Sequence, residues 1–293
     1  MGGNNGMQLI INGKRLDGRA VDELREIKMF AGILNKADGS GYIEWGRNKV
    51  LAAVYGPREV VPKHETDPYR AVVRARYLMA PFSTLEEHGR GGPNRRSIEI
   101  SKVVREVFEN VIISENYPKT AIDIFIEILE GHGSTRCVGI NAASLALATA
   151  GIPLRDIPVA VSVGKIDGTI AVDMAKEEDN FGESDVAVAI APNSGDILLL
   201  QMDGKLTREE VSRAFDLIYN AAKEISAKQI AALKALYSAQ KENIEEREEE
   251  NKEENISSFS DVPLSSEISQ SQLQPASQTT SEDMGEMPNE PNA

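Results

Sequence analysis

The stretch Leu129-Glu130-Gly131-His132-Gly133-Ser134-Thr135-Arg136-Cys137 most constrains the fold, because it passes from a strand pattern to a helix pattern across two glycines. The residues before it, Ile122-Asp123-Ile124-Phe125-Ile126-Glu127-Ile128-Leu129, are rich in β-branched and aromatic types. Those after it, 138–150, are rich in Ala and Leu, with no Pro and no Gly beyond Gly139. Two hydroxyls and one Arg therefore stand where a helix begins. Unpaired N–H groups, a positive dipole end, close backbone approach at Gly and a bidentate Arg together make an anion cradle, with phosphate as its natural ligand. The same residues also suit a tight turn in which Ser134 or Thr135 caps the helix and Arg136 faces solvent.

Around this join the chain reads as strands and helices in alternation. Short strand patterns at 27–34, 41–45 and 49–55, separated by turn signals, predict an antiparallel meander. Residues 70–79 follow as a strand with Val73, Ala75 and Tyr77 on one face and Arg74 and Arg76 on the other. The polar loop 81–94 ends in Arg95-Arg96-Ser97, and Ile100, Val103, Val104, Val107, Phe108 and Val111 then recur at helical spacing, with Asn94 or Ser97 as cap. Two arginines oppose the dipole of that helix start, which tilts the reading toward an anionic ligand over a solvated pair. Beyond Gly151-Ile152-Pro153, two hairpins are signalled by Asp167-Gly168 and Asn193-Ser194-Gly195, and Thr207-Arg208-Glu209-Glu210 is a capping box for a long helix. Strands with segregated helices make this an α+β chain.

Charge sharpens the division. The formal net charge is −14, of which residues from 241 onward carry −11, leaving −3 for residues 1–240. A nearly neutral body lets local basic clusters act without a strong opposing field. Three segments follow: a flexible N-terminus 1–13, a domain 14–240, and an acidic, largely disordered tail 241–293 whose first part, 241–255, can prolong the helix. One cysteine, Cys137, forms no intrachain disulfide, no Cys/His spacing suits zinc, and no signal pattern or spanning run is visible. A cytoplasmic location without membrane contact is the expectation.

Between the hairpins lies Val172-Asp173-Met174-Ala175-Lys176-Glu177-Glu178-Asp179-Asn180-Phe181-Gly182-Glu183-Ser184-Asp185, whose acids read first as a solvated turn. Asp185, however, opens the apolar strand 186–190, where it can point with Asp179 into a site as a metal or proton pair. Cradle, Arg pair and acidic pair together are the parts for phosphoryl transfer at an RNA end.

These residues carry a family resemblance. Over roughly 14–237 the chain resembles the RNase PH family, closest to its catalytic RNase PH-type subunits of the archaeal exosome. The resemblance rests on Arg15-Leu16-Asp17-Gly18-Arg19, Ala37-Asp38-Gly39-Ser40, Val54-Tyr55-Gly56-Pro57, Pro81-Phe82-Ser83, Arg95-Arg96 with Glu99, Thr120-Ala121-Ile122-Asp123, the segment 142–148 and Gly151-Ile152-Pro153. The tail lies outside it. The resemblance implies an RNase PH-type fold (ribosomal protein S5 domain 2-like), with two similar βαβα-type halves, mixed sheets and segregated helices. It implies phosphate-dependent 3′-to-5′ removal of nucleoside diphosphates from RNA, reversible as 3′-tailing. By the same resemblance Ser134, Thr135 and Arg136 hold the attacking phosphate, the co-substrate. Arg95 and Arg96 grip RNA, with Lys63 and Arg76 as weaker contacts, and Asp179 and Asp185 serve as acid pair and as Mg²⁺ ligands. His132 departs from the pattern and reads as a spacer or a phosphate contact. Implied partners are RNA, a related non-catalytic RNase PH-type subunit in a three-plus-three hexameric ring, and RNA-binding cap subunits. Two alternatives stay open: a stand-alone RNase PH trimming tRNA 3′ ends, and a non-catalytic RNA-binding ring subunit.

Overall fold

A computed structural model of the chain describes residues 8–85 and 94–260. It opens with a ribbon of β1 (Ile10–Ile11) and β2 (Lys14–Arg15) and continues into the expected meander, β3 (Ile27–Ala31), β4 (Gly39–Trp45) and β5 (Asn48–Glu59). Next come β6 (Val72–Met79), α1 (Arg95–Val111), β7 (Thr120–Glu130) and α2 (Thr135–Thr149). The second part runs β8 (Val159–Ile166), β9 (Thr169–Val172), α3 (Lys176–Phe181), β10 (Ser184–Ile190), β11 (Ile197–Gly204) and α4 (Arg208–Ser260).

Two sheets result. The first, in the order β3-β4-β5-β7-β6, is mixed because β6 runs parallel to β7. The second, β11-β10-β8-β9, is antiparallel throughout, so mixed character is confined to the first half. Turn chemistry set the second sheet's register: Asp167 and Gly168 both hold positive φ between β8 and β9, the type I′ geometry that matches strand twist. Asn94 and Ser97 cap α1 reciprocally, and Thr207 and Glu210 do the same at α4.

Helix α2 packs on β4, β5 and β7 of one sheet and on β8 and β10 of the other. Its residues 137–147 are all buried, which is why the sequence there lacks a polar face. Its two interior polar side chains are paired: Asn141 donates to the Ala160 carbonyl at 2.6 Å, and Ser144 lies 2.9 Å from the Pro158 carbonyl. The approach of α2 to β4 is at backbone distance. A Cβ on Gly39 would sit 2.1 Å from the Ala146 oxygen and 2.4 Å from the Ala150 nitrogen. Gly39→Ala is therefore expected to cost about 3 kcal/mol, read as a lower Tm in a thermal melt, because neither contact is a side chain that can swing aside.

The acidic stretch differs from its expected form. Rather than a solvated turn it holds the six-residue α3, whose first turn carries Glu177, Glu178 and Asp179, the charges that a helix N-terminus favours. Glu178 is buried and caps its own helix through the Ala175 N–H at 2.7 Å. Of the segment 1–13 expected to be flexible, Leu9 is buried, and the Leu9 and Ile10 N–H groups donate to Asp167 at 2.6 and 2.8 Å. Residues 1–7 lie outside the described residues, as do most of the long loop, 86–93, and the tail beyond 260. The chain divides into two units, Met1–Asn243 and Ile244–Ala293; both sheets belong to the first, and residues 244–260 of the second are helical. Among the described residues no helix is long and apolar enough to cross a membrane.

Candidate active site

Strand β7 delivers the chain into the Gly131–Gly133 turn, and α2 starts directly behind it. Ser134 occupies the N-cap position in the left-handed region, φ 58°, and its side chain makes no cap bond. Its hydroxyl instead donates to the Met174 carbonyl at 2.7 Å and lies 2.5 Å from the Ser162 hydroxyl. Thr135 is buried and accepts from the Tyr77 hydroxyl at 2.8 Å; burial pushes that phenol up, so it remains a donor. The hydroxyls are thus spent on fixing the turn, not on capping it.

Arg136 follows, half-buried, and donates to the Gln201 side-chain oxygen at 2.5 Å. Gln201, on β11, reaches Glu99 of α1 at 3.4 Å. The Nε of Arg136 is buried with no partner among the described residues. A buried guanidinium N–H without an acceptor costs about 1–3 kcal/mol, so the position fits one that an anion completes.

A cavity of about 70 Å³ collects these parts: Arg96, Ser134, Thr135, Arg136, Cys137, Ser162, Asp179, Asp185 and Ala187 line it. Asp185 and Ala187 share a face of β10 by strand alternation, and Asp179 comes from α3. Burial first, and then the carboxylate of Asp179 beside it, push Asp185 up to about 6, with Arg136 and Arg96 pulling the other way. Both carboxylates line the same cavity, and the charge of Asp179 beside Asp185 favours a proton on Asp185. Burial pushes the neighbouring Cys137 thiol up to about 12, leaving it inert as a nucleophile.

Six of the residues singled out in the sequence therefore meet: Arg96, Ser134, Thr135, Arg136, Asp179 and Asp185. Three do not. Arg95 is exposed one position before Arg96 and does not line the cavity. Arg76 is exposed on the edge strand β6, in a separate groove of about 630 Å³ with Arg74, Lys102 and Arg105. Lys63 is exposed in a short 3₁₀ turn and pairs with Glu59 at 3.3 Å. His132 turns away to Glu177 at 3.5 Å, which favours its spacer reading. Larger clefts of about 500 and 420 Å³ share Arg47, His132 and Glu177 but hold neither Arg136 nor the acid pair.

Gln201, Ser162 and Tyr77 were not singled out in the sequence. Each lies on a strand and meets the site only by cross-strand register or sheet packing, which leaves no local mark. The arginines of Arg15-Leu16-Asp17-Gly18-Arg19 are packing residues: both are buried against Asp173 and Glu178. Among the described residues no group of three or more His, Cys, Asp or Glu is placed to hold a metal ion, and the carboxylates lining this cavity, which could hold a cation, are Asp179 and Asp185. Two hard oxygens suit Mg²⁺, which takes one or two carboxylates and completes its shell with water and substrate phosphates.

Comparison with known proteins gives the arrangement a family. The 3′ exoribonuclease family, domain 1, matches residues 23–153, and its domain 2 matches residues 156–220. The chain is 58% identical over 233 residues to the exosome complex component Rrp41 of Pyrococcus furiosus, covering 79% of this chain and 93% of that protein. It is 51% identical over 226 residues to the exosome complex component Rrp41 of Thermoplasma acidophilum, covering 77% and 91%. Among solved structures, rice Rrp46 superposes with a TM-score of 0.68 at 24% identity, over 75% of this chain and 100% of that one. A chain of the Archaeoglobus fulgidus exosome with RNA bound to the active site gives 0.65 at 23%, over 74% and 93%. At that identity the two superpositions speak for the fold. With both domains matched in order and relatives this similar over nine-tenths of their length, the chain belongs to the RNase PH family of 3′ exoribonucleases.

Proposed function

We propose that this chain is the catalytic Rrp41-type subunit of an archaeal exosome, a phosphate-dependent 3′-to-5′ exoribonuclease. One observation carries the reading: Arg96, the Ser134–Arg136 turn and the Asp179–Asp185 pair converge on one cavity in a chain that is 58% identical to an exosome component.

Inorganic phosphate is held by the Arg136 guanidinium and the N–H groups at the start of α2, which orient it and neutralise its charge. Arg96 draws the terminal phosphodiester of the RNA into the same cavity. A phosphate oxygen attacks that phosphorus; a P–O bond forms, the bond to the 3′ oxygen breaks, and the last nucleotide departs as its diphosphate. The leaving 3′ oxygen takes a proton from the Asp179–Asp185 acid pair, so charge does not accumulate on it. Asp179 and Asp185 are also the residues that would hold Mg²⁺, which when bound offsets the negative charge of the reacting phosphates. Catalysis is then mainly positioning and electrostatic stabilisation. Reversal of the same steps adds nucleotides to a 3′ end. RNA contact extends to Arg95, with Arg76 and Lys63 as outer cations.

Assembly follows the same reading: three copies alternate with three of a related, inactive subunit in a ring that RNA-binding cap subunits feed, in the cytoplasm. The test is release of nucleoside diphosphate from 3′-labelled RNA, with and without the partner subunit and with and without phosphate. Release that needs phosphate and the partner is the expected result. No phosphate-dependent release with the partner present would overturn the enzyme reading, and full activity of the chain alone would point to a stand-alone RNase PH.

A further inference from the structure

Five charged side chains are buried beside the site without lining its cavity: Arg15, Arg19, Arg25, Asp173 and Glu178. Arg15 donates through Nε to Glu178 at 2.7 Å, bonds the second Glu178 oxygen as well, and also reaches the carbonyls of Val172 at 2.6 Å and Asp173 at 2.8 Å. One guanidinium thus clamps the end of β9 to α3. Asp173, at a left-handed φ of 59°, accepts from the Arg25 backbone N–H at 2.7 Å, from its guanidinium at 2.6 Å, and from the Trp45 indole at 2.9 Å. Arg25 in turn donates to the His132 carbonyl at 2.7 Å, inside the Gly131–Gly133 turn. The cluster therefore touches both sides of the site, the cradle turn through Arg25 and the acid-bearing helix through Arg15.

We infer that Arg15 and Glu178 are positioning residues that hold Asp179 in register with Asp185 and with the cradle. Two arguments lead there. First, α3 has six residues, well short of the length at which a helix sustains itself, so its placement must come from outside. Its buried side chain is Glu178, the immediate neighbour of Asp179, tied to a segment 163 residues away in sequence. Second, a buried ion pair adds little net stability, because desolvation offsets its attraction, and apolar side chains of like volume serve a fold as well. A directional, bidentate clamp fixes geometry, which an apolar contact at this place does not. The inference rests on the function proposed above.

The experiment uses the full chain assembled with its partner subunit. Arg15→Met, Glu178→Ala, Glu178→Gln and the double variant Arg15→Met/Glu178→Ala are assayed well below each variant's own Tm. The readouts are kcat, KM for phosphate and RNA affinity. Misplacement of a reacting group by about 1 Å costs on the order of 100-fold. Glu178→Ala and Arg15→Met are expected to lose about 10- to 100-fold in kcat, with phosphate KM and RNA affinity within about twofold of wild type. Glu178→Gln keeps the acceptor for Ala175 and should fall between wild type and Glu178→Ala. The double variant should lose no more than the worse single one, since both act through one contact. Wild-type kcat in folded Glu178→Ala and Arg15→Met would overturn the inference, leaving the cluster a fold element only. If those two do not fold, the graded loss in Glu178→Gln decides in the same way. Wild-type protein without phosphate-dependent release would instead overturn the proposed function, and this inference with it, so the two failures are distinct.

Discussion

Arg136→Ala is expected to lower phosphate-dependent RNA degradation about 100- to 1000-fold, the usual effect of removing a donor aimed at developing charge. The loss should fall mainly on phosphate: its KM rises, and RNA affinity, carried by Arg95 and Arg96, changes little. Stability should hardly move. Among the described residues the guanidinium bonds the Gln201 side chain and its buried Nε meets no acceptor, so alanine removes an unsatisfied donor along with the charge. Arg136→Lys keeps a cation but not the planar fork, and its activity should lie between alanine and wild type. A phosphate titration of turnover together with a thermal melt checks all three statements. Wild-type turnover of Arg136→Ala at ordinary phosphate would remove the cradle from the mechanism.

Much of this site was legible because its parts are local. The Gly131–Gly133 turn and the helix behind it are a continuous stretch, and Ser134, Thr135 and Arg136 keep that order in space. Asp167-Gly168 and Thr207 to Glu210 behave as their local chemistry dictates, since turn and cap preferences depend on nearest neighbours. What the residues did not reveal is what long-range register decides. Gln201 meets Arg136 because β11 pairs with β10 in a register that sets it opposite Ala187. Arg15 meets Glu178 across 163 residues, and neither has a neighbour pattern that names the other. The acidic run misled for a related reason. Its composition describes a solvated turn, yet two of its acids, Asp173 and Glu178, are buried against arginines from the other end of the domain. The same distinction separates Arg96, which enters the cavity, from Arg95, which faces outward one residue earlier: a helix turns by about 100° per residue, and a paired motif carries no phase.

Asp185→Asn is expected to abolish most activity and, at neutral pH and above, to raise the Tm. The activity loss, about 100- to 10,000-fold, follows from removing one member of the acid pair that supplies the proton. The stability gain follows from the direction of its shift. Burial and Asp179 raise Asp185 from 3.8 to about 6 in the folded chain, so below pH 4 both states hold the proton and the group contributes nothing. Between pH 4 and 6 the unfolded chain releases that proton while the folded chain keeps it. The folded state then binds more protons, and its stability falls as pH rises until the folded carboxyl ionises near 6. Above that the penalty is constant, and Asn does not carry it. Asp173 behaves with the opposite sign: despite burial, Arg25 and Trp45 hold it below its ordinary value, so its contribution is present at neutral pH and lost on acidification below about 4. Melts of wild type and Asp185→Asn in chelator, from pH 4 to pH 8, should therefore coincide at the acid end and separate by a few degrees at pH 8, on the order expected for a domain of this size. Adding Mg²⁺ at pH 8 should raise the wild-type Tm and leave the variant nearly unmoved, because a cation between the carboxylates relieves the repulsion that the variant lacks. A Tm that falls on substitution at pH 8 would mean that Asp185 supports the fold, and that its carboxylate is not kept there at the fold's expense for chemistry.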